Sequence, residues 1–171
     1  MYSTTGIILK KYPAGEADAV FSIYTKDYGK IRALAQGVKK EEAKLKGHLE
    51  IYNLTNIGFV LGKNGERLTQ AVVAYAWPNI RKSWRKISCI AYVIELVDKY
   101  CLVGQHDESL WKLIVSSLLE LEKMNYISEL PAYKEFITKF ESDFLHVLGY
   151  SGEKDFRILG EKPVAKPFGL R

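Results

Sequence analysis

The sequence predicts an α+β chain, with a small five-stranded barrel followed by a small all-α helical domain. Three observations predict it. Short apolar runs of period two, broken by glycine and turn residues, extend from Thr5 to about Trp77. Beyond Trp77-Pro78 the apolar period lengthens to that of a helix. A chain of 171 residues, 47% of them hydrophobic, can bury a proper core. The expected organisation is a barrel over 1–78, helices over 79–150 and an irregular tail over 151–171.

Gly6 to Tyr12 is apolar and β-branched, and Pro13-Ala14-Gly15-Glu16 breaks it. Ala19, Phe21 and Ile23 alternate with Val20, Ser22 and Tyr24 up to the turn Lys26-Asp27-Tyr28-Gly29. In the third strand Ile31, Ala33 and Ala35 would face a core while Lys30, Arg32 and Gln36 face out, which gives that strand a basic outer face. Ile57, Phe59 and Leu61 share one side of a fourth strand. Lys63-Asn64-Gly65-Glu66 is then expected as a type I′ hairpin, because Asn-Gly accepts the positive φ angles of that turn, and Leu68 to Tyr75 returns as the fifth strand. Five short strands with a long excursion after the third match an OB-like Greek-key barrel. An SH3-like barrel gives a similar pattern, so periodicity does not choose between them.

Ile87, Ile90, Ile94, Val97 and Cys101 recur at helical spacing, as do Trp111, Ile114, Leu118 and Leu121 after an Asp107 cap. Tyr133, Phe136, Ile137, Phe140, Phe144 and Leu148 form a third stripe between Pro131 and Gly149. Such stripes are core packing, and three amphipathic helices bury them against one another. From Ser151 onward only short apolar pieces remain, and ordering there depends on Phe156, Leu159 or Phe168 finding a groove.

The net charge of +5 is unevenly spread: residues 1–78 carry 11 basic and 7 acidic side chains, and residues 79–150 carry 9 and 10. No apolar run approaches the roughly 20 residues that cross a bilayer, and the N-terminus lacks the pattern of a signal peptide. A soluble, cytoplasmic protein with no membrane partner is expected. Cys89 and Cys101 fall in one expected helix, where their Cα atoms would lie roughly 18 Å apart. That is too far for a disulfide, so both are read as reduced core residues. Three scattered histidines and no CxxC pair argue against a metal site, and no cofactor is expected.

Catalysis finds little support, since His48, His106 and His146 lie in separate segments and no nucleophile elbow or phosphate loop is present. The chemistry-bearing feature is instead the stretch from Gly29 to Leu49, where a strand runs through Gly37 into a connection carrying Lys39, Lys40, Lys44 and Lys46. A mobile basic loop beside a small sheet pairs with phosphates without demanding a base sequence. Aromatic residues interleave with these cations, among them Tyr12, Phe21, Tyr24, Tyr28, Tyr52 and Phe59, and some would serve as stacking platforms. A second basic cluster, Arg81, Lys82, Arg85 and Lys86, opens the helical part. If 80–87 is one helix, like charges stand four residues apart there, which hints at an anion or acidic partner.

Several segments together resemble the RecO family of bacterial recombination mediators. They are Gly6-Ile7-Ile8-Leu9-Lys10-Lys11-Tyr12-Pro13-Ala14-Gly15-Glu16-Ala17-Asp18, the strand Gly29-Lys30-Ile31-Arg32-Ala33-Leu34-Ala35-Gln36-Gly37, Leu45-Lys46-Gly47-His48-Leu49, Tyr92-Val93-Ile94-Glu95-Leu96, and the helix end running from Phe140 to Leu148-Gly149-Tyr150. The resemblance implies an N-terminal OB-fold domain followed by helices. It also implies a non-catalytic protein that binds single- and double-stranded DNA, anneals complementary strands and helps load recombinase on DNA coated by single-strand binding protein. The implied partners are RecR and the acidic C-terminal tail of that binding protein. Lys30, Arg32, Lys39, Lys40, Lys44 and Lys46 match the family's basic strand and loop, so the DNA-binding role is carried onto them. The chain has no cysteine after 101 and is expected to be a shortened member without the zinc-binding insertion. Rival readings are a protein adaptor with little DNA affinity and an RNA-binding OB module, because charge and stacking do not separate RNA from DNA.

Overall fold

The computed structural model describes residues 1–40, 43–63, 65–125, 129–150 and 167–169. Five strands come first: β1 (Tyr2–Ala14), β2 (Asp18–Thr25), β3 (Gly29–Ala35), β4 (Leu54–Gly62) and β5 (Gly65–Tyr75). Four helices follow: α1 (Pro78–Arg81), α2 (Trp84–Tyr100), α3 (Glu108–Lys123) and α4 (Leu130–Val147). The chain divides into two compact units, one of Met1–Ala76 with Val97–Glu108 and one of Trp77–Leu96 with Ser109–Arg171. The last turn of α2 is therefore part of the barrel unit.

The strands close into a barrel in the order β1-β2-β3-β5-β4. β1 is long enough to serve two neighbours, pairing with β4 through Tyr2 to Ile7 and with β2 through Gly6 to Ala14, with an irregularity between Ile8 and Lys10 where it bends. Closure rests on a short parallel pairing of β3 with β5, Ala33 opposite Glu66 and Leu34 opposite Arg67. That order, with its parallel closing pair, is the OB arrangement and settles the choice that periodicity left open.

The alternating pattern does its expected work inside. Ile8, Phe21, Ile23, Ile31, Ala33, Ala35, Ile57 and Phe59 form one buried cluster, and each large side chain among them contributes about 1.5–3 kcal/mol relative to exposure. The hairpin between β4 and β5 is offset by one residue from expectation. Gly62 pairs with Gly65, so Gly65, at φ +108°, already opens the next strand instead of sitting at the centre of the turn; Asn64 itself lies outside the described residues.

In the helical unit Ile114, Leu118, Leu121, Tyr133, Phe136, Ile137, Phe140 and Phe144 are buried, as their spacing predicts. α4 ends where Gly149 adopts φ +91°, the left-handed stop that glycine supplies. Residues 80–87 are not one helix. α1 stops at Arg81 and α2 begins at Trp84, so the expected four-residue pairing of like charges is corrected. The expectation of an irregular tail falls mostly outside the described residues, of which only Pro167–Gly169 form a short 3-10 turn.

Candidate nucleic-acid interface

Paired residues on neighbouring strands present their side chains to the same face, so the register draws the barrel's outer surface. One row runs Lys10, Ser22, Arg32, and the next runs Tyr12, Val20, Leu34, Arg67. The end of α2 covers the middle of the first row. Asp98 accepts a hydrogen bond from the Ser22 hydroxyl at 2.6 Å and pairs with Lys10 and Lys30, both at 3.2 Å. The Lys30 ammonium also donates to the carbonyls of Asp98 and Cys101, at 3.2 Å for the latter. The segment that follows seals the edge of β3: Val103 bridges to Lys30, and the Gly104 N–H donates to the Lys30 carbonyl.

Lys30 is thus 4% exposed, and the expectation that it faces solvent is corrected. Alternation placed it on the outer face correctly, but that face is covered here by chain nearly seventy residues further on. Burial by itself would push the Asp98 carboxyl up, yet the Ser22 hydroxyl and the ammonium groups of Lys30 and Lys10 outweigh it and hold the carboxyl below its ordinary value.

Arg32 lies beyond this cover and is exposed. Beside it the second row offers Tyr12, 38% exposed, then half-buried Val20 and Leu34, then exposed Arg67. This is an apolar strip with a guanidinium on the β5 side and another two residues along β3. At its edge the basic connection begins in a fixed conformation. Gly37, at φ +65°, donates its N–H to Asp18 Oδ1 at 2.7 Å, and the Lys39 N–H reaches the Ala17 carbonyl at 2.9 Å. The Lys39 ammonium binds the Gly15 carbonyl at 2.7 Å, and Arg67 reaches the Gln36 side chain at 3.4 Å.

Among its described residues, the rest of the connection is held by successive backbone bonds. Lys40 N–H bonds to Gly37 O, Ala43 N–H to Lys40 O, and Lys46 N–H to Ala43 O. Lys40, Lys44 and Lys46 are exposed. The 3-10 turn Lys46–His48 is anchored to the far strands: the Val73 N–H of β5 donates to His48 Nδ1 at 3.3 Å, and the Thr55 hydroxyl of β4 donates to the His48 carbonyl at 3.0 Å. The six cations read from the sequence therefore fall into four places. Lys39 stands at the β1–β2 hairpin with Lys40 next to it in the chain, Arg32 lies on β3 opposite Ser22, Lys44 and Lys46 ride on the turn against β4 and β5, and Lys30 is interior. Sequence reasoning missed Arg67, whose place opposite Leu34 follows only from the parallel β3–β5 pair.

Among the aromatic candidates, Phe21, Tyr24 and Phe59 are buried. Tyr28 packs edge-on to Tyr2 and Phe59, with ring centroids 5.6 and 5.4 Å away. Tyr12 is the ring that meets both solvent and the apolar strip.

The second cluster, Arg81, Lys82, Arg85 and Lys86, also divides. Lys86 is wholly buried, and its ammonium donates to the carbonyls of Glu122 at 3.2 Å and Met124 at 2.5 Å. Its assignment to an anion-binding surface is corrected, since it ties α2 to the end of α3. Burial pulls it below the ordinary lysine value, with Glu122 offsetting part of that. The Glu122 carboxylate in turn accepts the N–H groups of Asn79 and Ile80, at 3.0 and 2.8 Å. Arg81 and Lys82 are exposed, and the Arg85 guanidinium lies 5.3 Å from the exposed Trp84 ring.

Cys89 and Cys101 are buried free thiols, and burial pushes both up to about 12. Among the described residues no group of three or more histidine, cysteine or acidic side chains converges to hold a metal, and no helix is long and apolar enough to cross a membrane.

A closed five-stranded barrel of this strand order, followed by a helical unit, defines an OB-fold protein. The family model described as "Recombination protein O N terminal" matches residues 1–77, the whole barrel. Relatives named "DNA repair protein RecO" include one from Gloeothece citriformis, 33% identical over 71% of this chain and 43% of that protein, and one from Geobacter metallireducens, 31% identical over 86% of this chain and 58% of that protein. Another from Synechocystis is 26% identical over 98% of this chain and 55% of that protein. The chain belongs to the RecO family. It spans about half the length of the curated relatives it matches.

Proposed function

We propose that this chain is a non-catalytic nucleic-acid-binding protein of DNA repair. It would hold single-stranded and duplex DNA by their phosphates and promote annealing of complementary strands, as a step toward loading recombinase. The observation that carries this reading is the set of exposed cations Arg32, Lys40, Lys44, Lys46 and Arg67, with half-buried Lys39 beside them, around one barrel, and Tyr12, Val20 and Leu34 as an apolar floor between two of them. Cations that neutralise two backbones lower the repulsion between strands while leaving base edges free to pair. If about four phosphates are neutralised on a single strand, log affinity falls against log salt with a slope of roughly −3. A titration of labelled single-stranded DNA, duplex and RNA at several salt concentrations tests this; a slope near zero, or strong preference for one sequence, rejects it.

A second function is supported by the exposed Trp84 beside Arg85, Arg81 and Lys82. An acidic peptide carrying an aromatic side chain, such as the tail of a single-strand binding protein, would meet both a ring and cations there. RecR as a partner rests on family resemblance, with no surface assigned to it.

A further inference from the structure

Trp84 is 65% exposed at the first position of α2, yet it is not alone: the Phe168 ring stands edge-on to it, centroid to centroid 5.9 Å. The same Phe168 ring lies 6.1 Å from that of Tyr133, a fully buried residue in the first turn of α4. Phe168 thus touches both helix starts across eighty residues of chain. It does so in a left-handed backbone conformation, φ +64° and ψ 25°, within the three-residue turn Pro167–Gly169. Aromatic side chains adopt that region at a cost, which the two ring contacts offset here.

The polar groups around this seat are incompletely satisfied. Among the described residues, Arg85 Nε and the Tyr133 hydroxyl are buried without a hydrogen-bond partner. A buried donor left unmade is a penalty the fold otherwise avoids. Phe168 supplies a ring but nothing that could accept from Arg85. A carboxylate beside an aromatic side chain would supply both.

We propose that the Trp84–Tyr133 seat is a docking site for an acidic, aromatic-bearing peptide, and that the chain's own Pro167–Phe168 turn occupies it in the absence of that peptide. This rests on the second function proposed above and adds competition to it. A half-buried ring held by a strained three-residue turn is a displaceable occupant, whereas a core aromatic is not. The incoming peptide gains the ring contacts that Phe168 gives up and, in addition, a charge-assisted bond from Arg85.

The test compares the full chain with its Phe168→Ala variant in two measurements. The first is binding of a fluorescent peptide of four aspartates, a glycine and a terminal phenylalanine; the variant is expected to bind at least about threefold more tightly, and Arg85→Met to weaken binding in both backgrounds. Equal affinity of wild type and Phe168→Ala overturns the competition while leaving the docking reading standing. Binding by neither overturns the docking reading, and the proposal with it. The second is acrylamide quenching of tryptophan emission, which reports mainly Trp84 because Trp77 and Trp111 are 1% and 9% exposed. Steeper quenching in Phe168→Ala supports self-occupancy independently of any peptide, and identical quenching overturns it.

Discussion

Lys30 and Asp98 form a buried ion pair, Nζ to Oδ1 3.2 Å, between the start of β3 and the last turn of α2. Neither carries a free charge. Asp98 also holds Ser22 and Lys10, so one carboxylate gathers three strands. The consequence for function is displacement: the part of the barrel face nearest α2 is closed, and exposed cations begin at Arg32.

Removing one partner of a buried pair leaves the other uncompensated, so Asp98→Ala should destabilise the protein by about 3–5 kcal/mol. The pH dependence follows from the depressed carboxyl. A folded-state value below the unfolded 3.8 means the stabilisation is complete above that value and is lost as pH falls through the folded one. Acid unfolding of wild type should steepen below pH ~4, and Asp98→Asn, measured by circular dichroism, should flatten that limb. An unchanged limb would show that Asp98 does not carry the acid sensitivity.

The close approach of the 103–105 segment to β3 also depends on Gly29. At φ +65°, a Cβ there would stand 2.1 Å from the Gln105 carbonyl oxygen, so Gly29→Ala should cost more than about 1 kcal/mol and lower the melting temperature. Gly15, also at positive φ but with open space around it, is the control, and Gly15→Ala should cost less.

In the helical unit, Glu122→Ala should cost about 1–3 kcal/mol because the N–H groups of Asn79 and Ile80 lose their acceptor. Lys86→Met, by contrast, should leave binding of DNA and acidic peptide unchanged. A loss of either binding in a folded Lys86→Met protein would return that ammonium to the surface it was first read as belonging to.

Both thiols should be inert in the folded protein. Cys89 and Cys101 are buried and held near 12, far from the thiolate that reacts, so a thiol reagent at pH 8 should modify them only at the rate of unfolding. Fast modification of either would contradict their burial.

The strands and helices were legible because apolar alternation and helical stripes are local signals. Ile31, Ala33 and Ala35 point inward as their spacing says. What covers a face is not local. The alternation that put Lys30 outside could not show Asp98 arriving on top of it, nor could the basic run at 81–86 show Lys86 turned inward onto the carbonyls of Glu122 and Met124. Arg67 was overlooked for the same reason, since its neighbour Leu34 is fixed by barrel closure. The sequence offers Phe168 only as a ring in need of a groove; Trp84 and Tyr133 form its sides.

The proposed phosphate contacts lie on the exposed cations of the connection after β3. Lys40, Lys44 and Lys46 are all exposed, so changing them to glutamate alters the net charge by −6 (three changes of −2) without touching the core. Exposed substitutions of this kind usually shift stability by no more than about 0.5 kcal/mol each. The decisive measurement is the rate of annealing of complementary strands by this triple variant in moderate salt, with circular dichroism confirming its fold. A folded protein whose annealing and single-strand binding are abolished is expected; a folded triple variant that anneals at the wild-type rate would show that these lysines are not the nucleic-acid site.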